Sequence, residues 1–256
     1  MSPFIETSAI LENVPVSSDS HVLVLSSEKI CKTARPGQFV EVRSNPDHLV
    51  LKRPFSIFES TGETVSLYVK RVGKGSRWLQ KARAGETVEI IGPLGNGYLG
   101  PFDGKSLLIG GGCGIASLKM LSRTIKENGG VVDAIFGFRI HAEVPEQVIA
   151  MFKLHVESLT VTLETSDFLK TETVVDRLRE ANIDDYERFF VCGPSGMMKA
   201  LLRILPAKDT QVSLEMRMAC GLGVCYGCSV STIFGRKRVC HDGPVFSMEE
   251  VDWNDL

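Results

Sequence analysis

Apolar residues in roughly the first ninety positions gather in short runs interrupted by turn residues. His21–Leu25, Gln38–Val42, Val65–Val69 and Val88–Ile91 are β-branched or apolar stretches of strand length. Pro36-Gly37, Asn45-Pro46, Thr61-Gly62 and Ala84-Gly85 separate them as turn and breaker signals. Closely spaced strands with little helix between them predict an antiparallel barrel or sandwich. One short helix is expected around Ser76–Ala82. Past Gly92-Pro93 and Gly95-Asn96-Gly97 the pattern changes. Ser106–Ile109 reads as a buried strand running into Gly110–Gly114, after which Ile115, Leu118, Leu121 and Ile125 fall on one helical stripe. Asn128-Gly129-Gly130 stops that helix. Val131–Phe138, Leu159–Leu163 and Phe189–Val191 read as further strands, with helices near Pro145–Phe152, Val174–Glu180 and Ser195–Leu205, the last ended by Pro206. Strands alternating with helices predict a parallel α/β sheet. The fold class is therefore α/β plus all-β in three parts: an antiparallel β-barrel over residues 1–100, an α/β part over 101–208 and a cysteine-rich module over 209–256.

Length and charge narrow the class. A chain of 256 residues suits two domains and an appendage. Lysine and arginine total 29 against 31 acidic residues, and this balance argues against a broad basic face for nucleic acid. No apolar run approaches the roughly 18 residues that span a bilayer, and Leu107–Leu118 is broken by four glycines. The first residues lack a positive flank before an apolar stretch, so no secretory signal is read. A soluble protein of a reducing, cytoplasmic compartment is the expectation, with no membrane partner.

Seven cysteines need an account: Cys31, Cys113, Cys192, Cys220, Cys225, Cys228 and Cys240. An odd number in such a chain argues against a disulfide framework. Cys220-x4-Cys225-x2-Cys228 followed by Cys240 matches the plant-type spacing of a [2Fe-2S] cluster. Four thiolates must converge there, and backbone N–H groups must approach the sulfurs closely. Gly221, Gly223 and Gly227 remove side chains from the loop and permit unusual backbone angles. The alternatives are a structural zinc ion on four thiolates, or unrelated buried thiols. Structural zinc sites pair their ligands in two short C-x-x-C-like knuckles, whereas here three ligands share one nine-residue loop. The spacing favours iron–sulfur, with Cys220, Cys225, Cys228 and Cys240 as metal ligands. Cys31 has no assigned role.

Weaker signals precede the cysteines. Arg53-Pro54-Phe55-Ser56 reads as the end of a strand. Its guanidinium can fork onto a pyrophosphate, Pro54 holds the backbone, and Ser56 can hydrogen-bond a ring nitrogen. An Arg-Pro beside a strand is often only an edge feature, so the weight comes from its companions. Tyr68-Val69-Lys70 adds an aromatic and a second cation, although Tyr68 also reads as ordinary barrel packing. Gly73-Lys74-Gly75-Ser76 opens a short helix whose N-terminus suits a phosphate. Gly110-Gly111-Gly112-Cys113-Gly114, between strand and helix, offers a second such seat. It is not G-x-G-x-x-G, because Ile115 or Ser117 stands at the third glycine, and no carboxylate is placed for a ribose hydroxyl. Cys192-Gly193-Pro194 is another strand-end turn, where α/β sheets bind ligands. Cys113 and Cys192 read as small residues lining that site, not nucleophiles. Arg139 follows the second strand of this part, where a cation would meet either a 2′-phosphate or solvent.

Arg53–Ser56, the Gly75-Ser76 helix start, Gly110–Gly114 and Cys192-Gly193-Pro194 stand in the order typical of the ferredoxin–NADP reductase superfamily, which the chain resembles. The tail is more specific. Glu215-x-Arg217-Met218-Ala219-Cys220-Gly221-x-Gly223-x-Cys225-x-Gly227-Cys228, with Val239-Cys240-x-Asp242-Gly243-Pro244-Val245-Phe246, is similar to the electron-transfer subunits of the B-type dihydroorotate dehydrogenases. The resemblance spans essentially the whole chain. It implies FAD on the barrel, contacted by Arg53, Pro54, Phe55, Ser56, Tyr68, Val69, Lys70, Gly75 and Ser76. It implies NAD on a Rossmann-like α/β part at Gly110, Gly111, Gly112, Gly114, Cys192, Gly193 and Pro194, and a [2Fe-2S] cluster in the tail. It further implies an FMN-containing dihydroorotate dehydrogenase catalytic subunit as partner, in a heterotetramer of two catalytic and two electron-transfer subunits. Electrons from dihydroorotate would pass from FMN through the cluster and FAD to NAD+, in pyrimidine (UMP) biosynthesis.

No residue of this chain is expected to oxidise dihydroorotate; that chemistry belongs to the partner. The cluster loop is expected near the partner interface. Arg236-Lys237-Arg238 reads as a solvated turn, with an interface charge cluster as the alternative. NAD is preferred over NADP on the likeness alone. Thr165-Ser166-Asp167 departs from the glycine-containing turn expected in the family at that place. One rival is the FAD/[2Fe-2S] subunit of another ferredoxin–NAD(P) or sulfide oxidoreductase. A rival from another class is a non-catalytic zinc-binding interaction module.

Overall fold

The computed structural model describes residues 3–44, 49–165 and 171–256. The expected turn at Asn45-Pro46 and the Ser166-Asp167 positions lie outside the described residues. The first part contains β1 (Phe4–Pro15), β2 (Ser20–Ser26), α1 (Ile30–Thr33), β3 (Phe39–Val42), β4 (Arg53–Thr61), β5 (Thr64–Lys70), α2 (Lys74–Lys81) and β6 (Thr87–Leu94). Its six strands close into an antiparallel barrel in the order β1-β2-β5-β4-β3-β6. Closure leaves no unpaired strand edge. Ile10, Leu23, Leu25, Val40, Val42, Ile57, Leu67 and Ile90 fill the interior. Three of the four expected strands lie within observed ones, and the fourth, Gln38–Val42, overlaps β3, which starts one residue later at Phe39.

Two strands differ from expectation. β1 is absent from the reading because residues Phe4–Pro15 mix polar and apolar positions, and only Ser8 and Ile10 of the strand are buried. Arg53–Ser56 opens β4 and does not end a strand. Pro54 has no N–H to give a ladder and is tolerated where pairing begins. The proline marks the strand's start, not its stop.

The second part contains β7 (Lys105–Gly111), α3 (Ile115–Glu127), β8 (Val131–Phe138), α4 (Glu146–Lys153), β9 (Ser158–Leu163), α5 (Val174–Glu180), β10 (Arg188–Cys192), α6 (Ser195–Leu201) and β11 (Thr210–Ser213). The tail adds the hairpin β12 (Ser229–Thr232) and β13 (Gly235–Arg238), then β14 (Val245–Ser247). The main sheet runs β14-β11-β10-β7-β8-β9. It is parallel except for β14, which pairs antiparallel with β11. Two of its strands therefore come from residues 209–256, so the sheet edge does not fall at the expected division. The last helix stops at Leu201, not Leu205, and loosens into a turn ahead of Pro206, which has no N–H for the Leu202 carbonyl and whose ring crowds it. α3 is wedged between this sheet and β4 of the barrel. Among the described residues no helix is long and apolar enough to cross a membrane.

Candidate functional site

A cavity of about 680 Å³ opens where the barrel, the sheet and the tail meet. The barrel contributes Arg53–Ser56, Tyr68 and Lys70, α3 and the turn before it contribute Ala116 and Cys113, and the segment after β11 contributes Leu214–Met218. The structure thus brings together two of the three barrel motifs on one wall.

Arg53 stands at the first position of β4, and its Nη1 donates to the carbonyls of Leu51 and Lys52 at 2.7 and 3.0 Å. The first turn of α2 abuts it. A Cβ at Gly75 would lie 2.7 Å from Ser44 Oγ and 3.1 Å from Arg53 Nε, so only glycine allows this approach. Ser76 Oγ accepts the N–H of Val72 and of Gly73 at 2.9 and 3.1 Å, and so caps its own helix. Ser44 Oγ is buried and has no hydrogen-bond partner among the described residues. A guanidinium, a helix start and an unspent hydroxyl in one niche fit the phosphates of a dinucleotide. Ser44 escaped the sequence reading, since nothing local marks it.

Tyr68 is buried on the cavity wall, and burial pushes its phenol up to about 12. Val69 turns the other way, into the barrel core, as alternation along β5 requires. Lys70 is not a free cation: Glu143 and Asp19 hold its ammonium at 3.1 and 3.4 Å. Burial opposes its charge, but the two carboxylates outweigh that and raise its pKa.

On the sheet side, Gly110 and Gly111 end β7, and Gly112–Gly114 form one tight turn before α3. β10 lies beside β7, which sets Cys192-Gly193-Pro194 against that turn. A Cβ on Gly111 would meet Pro194 at 2.8 Å, and one on Gly114 would strike the Cys192 carbonyl. The two glycine-bearing turns therefore make one surface. Gly193 and Pro194 line a second cavity of about 280 Å³ together with Ser195, Leu214, Glu215 and Met216. Cys192 itself is wholly buried, and burial pushes its thiol well up. Cys113 faces the larger cavity, with its Sγ 3.8–3.9 Å from the Glu215 carboxylate. Burial pushes this thiol up to about 12, so neither cysteine supplies a thiolate nucleophile. Glu215 lines both cavities, and burial raises its pKa. Arg139 donates to Glu143 at 2.7 Å, so its charge is already paired.

The tail loop places an amide at every one of its four sulfurs. Leu222 N–H approaches Cys220 Sγ at 3.4 Å, Gly223 N–H approaches Cys240 at 3.2 Å, Gly227 N–H approaches Cys225 at 3.4 Å, and Cys240 N–H approaches Cys228 at 3.4 Å. Gly221 and Gly223 reach this geometry with φ of +66° and +78°. Cys220 has Cys225 as its thiol neighbour and Cys240 has Cys228, and Cys220 also acts on Cys240 through its charge. Among the described residues no three His, Cys, Asp or Glu side chains are gathered as a single ion would need. Two thiol pairs ringed by amides fit a two-iron cluster held by four cysteines. Arg238 braces the loop: it forks onto Asp242 and its Nη1 donates to the Gly223 carbonyl at 2.9 Å. Leu222, Val224 and Tyr226 of the loop, with Ile233 and Phe234 at the hairpin tip, are apolar and exposed.

Known proteins resemble this chain in part of its tail and over nearly its whole length. Residues 215–252 match the family described as the iron–sulfur cluster binding domain of dihydroorotate dehydrogenase B. The chain is 34% identical over 259 residues to the dihydroorotate dehydrogenase B (NAD(+)) electron transfer subunit of Geobacillus sp. strain WCH70, covering 96% of this chain and 98% of that one. It is 32% identical to the subunit of the same name from Clostridium acetobutylicum, with 96% of each chain covered. Among solved structures, a chain of an NADH-dependent reduced ferredoxin–NADP oxidoreductase, studied for flavin-based electron bifurcation, superposes with a TM-score of 0.85 at 29% identity, over 98% of this chain and 91% of that one. The cytochrome b5 reductase domain of Ulva prolifera nitrate reductase, at 17% identity, TM-score 0.65 and coverage of 82% and 97%, shares the fold.

Proposed function

The chain belongs to the family of dihydroorotate dehydrogenase B (NAD+) electron-transfer subunits, and from that premise we propose how its parts divide the work. It is an oxidoreductase subunit that carries electrons from a dihydroorotate dehydrogenase catalytic subunit to NAD+ in pyrimidine synthesis, using FAD and a [2Fe-2S] cluster. When bound, nicotinamide exchanges a hydride and the cluster one electron, while flavin can do both and so stands between them. Residues 1–100 hold FAD, 101–208 hold NAD and 209–256 hold the cluster, with β11 and β14 lent to the sheet.

The observation that carries this reading is the continuity of the large cavity with the thiol loop: Met218, on the cavity wall, is two residues from Cys220. Arg53, Gly75 and Ser76 gather at the FAD phosphates, joined by Ser44, while Pro54, Phe55, Ser56, Tyr68 and Lys70 shape the ring side and Val69, turned into the barrel core, contributes only backbone between the last two. Gly110, Gly111, Gly112, Gly114 and Cys192–Pro194 form the nicotinamide dinucleotide seat, where glycine backbone and the start of α3 receive the pyrophosphate. Cys220, Cys225, Cys228 and Cys240 ligate the cluster, and their amides offset its negative charge. The exposed apolar loop and hairpin tip meet an FMN-containing catalytic subunit in a heterotetramer of two subunits of each kind. Seven cysteines with no disulfide among them fit the cytoplasm as the compartment.

Anaerobic purification with the catalytic subunit, then NADH titration followed by absorbance and EPR, tests the assignment. Flavin bleaching and a reduced-cluster signal are the expected results; a colourless zinc protein would sink it. A second reading, a subunit of another ferredoxin–NAD(P) oxidoreductase, draws on the likeness at TM-score 0.85. Co-purification separates them: an FMN-containing dihydroorotate enzyme supports the first, a ferredoxin the second.

A further inference from the structure

Strand β4 and helix α3 each serve one cofactor seat at their leading end, and behind those seats a buried ion cluster joins them. β4 puts Arg53–Ser56 on the large cavity and carries Glu59 three residues later. α3 starts at the glycine turn, puts Ala116 on the same cavity and carries Lys119 and Arg123 on its next turns. The Glu59 carboxylate accepts from Lys119 Nζ at 3.0 Å and from Arg123 Nε and Nη2 at 3.1 and 2.8 Å. Arg123 Nη2 also donates to the Ser60 carbonyl at 3.1 Å, and its Nη1 reaches Glu127 at 3.0 Å. Lys119 is only 2% exposed. Stability alone is a poor account of it, because an alkyl side chain would fill that space without the cost of desolvating an ammonium. Directed bonds do what apolar packing cannot: they set the height of α3 against β4 and oppose sliding. Burial pushes the Glu59 carboxyl up, but Arg123 and Lys119 outweigh it and keep it ionised.

We infer that Glu59 is a positioning residue for hydride exchange, gripping Lys119 and Arg123 so that the helix bearing the nicotinamide seat is held at a fixed distance from the strand bearing the flavin seat. The inference rests on the flavin and nicotinamide assignments above. In the NADH-to-flavin direction one hydride carries the proton and both electrons and leaves NAD+ behind. That transfer needs the reacting atoms about 3–3.5 Å apart, and a displacement of about 1 Å costs on the order of 100-fold. Glu59 touches neither cofactor; it acts only through the helix.

The test uses protein loaded with FAD and cluster. Glu59→Gln is expected to keep flavin stoichiometry and cluster absorbance. Its limiting rate of flavin reduction at saturating NADH, by stopped flow, should fall about 10–100-fold. The dissociation constant for NADH should change by less than about threefold, the split expected of a residue that acts on geometry and not on binding. Hydrogen exchange at the amides of residues 112–118, measured without nicotinamide, should quicken. Glu59→Asp restores the charge one methylene short, so it should recover thermal stability more fully than rate. If Glu59→Gln does not fold, Arg123→Gln supplies the same two readouts, since it leaves the Lys119–Glu59 pair in place. A limiting rate within twofold of wild type, or a slowed rate with unchanged exchange at 112–118, would overturn the inference. Wild-type protein that binds no FAD, or whose flavin NADH does not reduce, would instead overturn the functional reading itself.

Discussion

Gly75→Ala separates the stability of a helix from the ligand seat it helps to build. Gly75 lies in the first turn of α2, and alanine for glycine in a helix gains about 0.5–1 kcal/mol. By itself that gain would raise Tm by about 1–4 °C for a chain of this size. The added methyl, however, would sit 2.7 Å from Ser44 Oγ, 3.1 Å from Arg53 Nε and 3.2 Å from Arg53 Cγ. All three atoms belong to side chains, so the fold yields by turning Ser44 and Arg53 away and the backbone stays in place. Withdrawing one charge-assisted contact from the FAD phosphates costs about 1.5–3 kcal/mol, or about 10–150-fold in affinity. The assay pairs thermal melting of FAD-free protein with FAD titration by fluorescence. Unchanged or raised Tm with FAD affinity weakened at least tenfold is the expected result, and Arg53→Ala should weaken FAD to a similar degree. Wild-type affinity in Gly75→Ala would refute the placing of Arg53 and Ser44 at the phosphates.

Other outcomes follow from the same geometry. Cys225→Ser replaces a ligand thiolate with a hydroxyl and should abolish cluster absorbance and most of the bound iron, measured by visible spectroscopy and iron assay; full retention would remove Cys225 from the ligand set. Gly114→Ala drives a methyl against the Cys192 backbone carbonyl, which no rotamer relieves. It should destabilise the protein by about 1–3 kcal/mol and stop NADH-driven flavin reduction, whereas a wild-type melting curve would contradict the packing of the two turns. Glu59 has a pKa lowered from its ordinary value of 4.5, so its stabilising contribution is complete above that pH and lost as pH falls through the folded value. His155 beside this cluster is pushed down, mainly by burial and then by Lys119, and stays neutral at pH 7. The difference in Tm between wild type and Glu59→Gln should therefore stay constant from pH 7 down to about 4.5 and shrink below it; a difference that does not change with pH would show that Glu59 is not a linked group.

Features set by near neighbours in the chain were legible in the sequence. The spacing of Cys220, Cys225, Cys228 and Cys240, the glycines between them, the turn Gly110–Gly114 and the stripe Ile115–Leu118–Leu121–Ile125 all carry their own geometry over a few residues. The alternation of strands and helices after residue 100 did so too, because a helical or strand period is a property of a short window. Strand β1 was hidden because its few buried positions leave no apolar run, and Arg53–Ser56 was turned end for end because a proline speaks for starts and stops alike.

What only the tertiary structure decided depends on partners distant in sequence. Lys119 lies off the apolar stripe of its helix, and nothing local marks it for burial; Glu59, sixty residues earlier, meets it in the interior. Lys70 looks like a free cation for phosphate until Glu143 and Asp19 claim it. Ser44 gains meaning only when α2 and Arg53 close around it, and Leu214–Met218 become a cavity wall only because β11 joins the sheet beside β10. Charge pairing and burial are sums over all neighbours in space. A spacing of cysteines determines which group can be bound, while the long-range contacts determine which cations remain free to bind it and how firmly the two halves of the site are held in place.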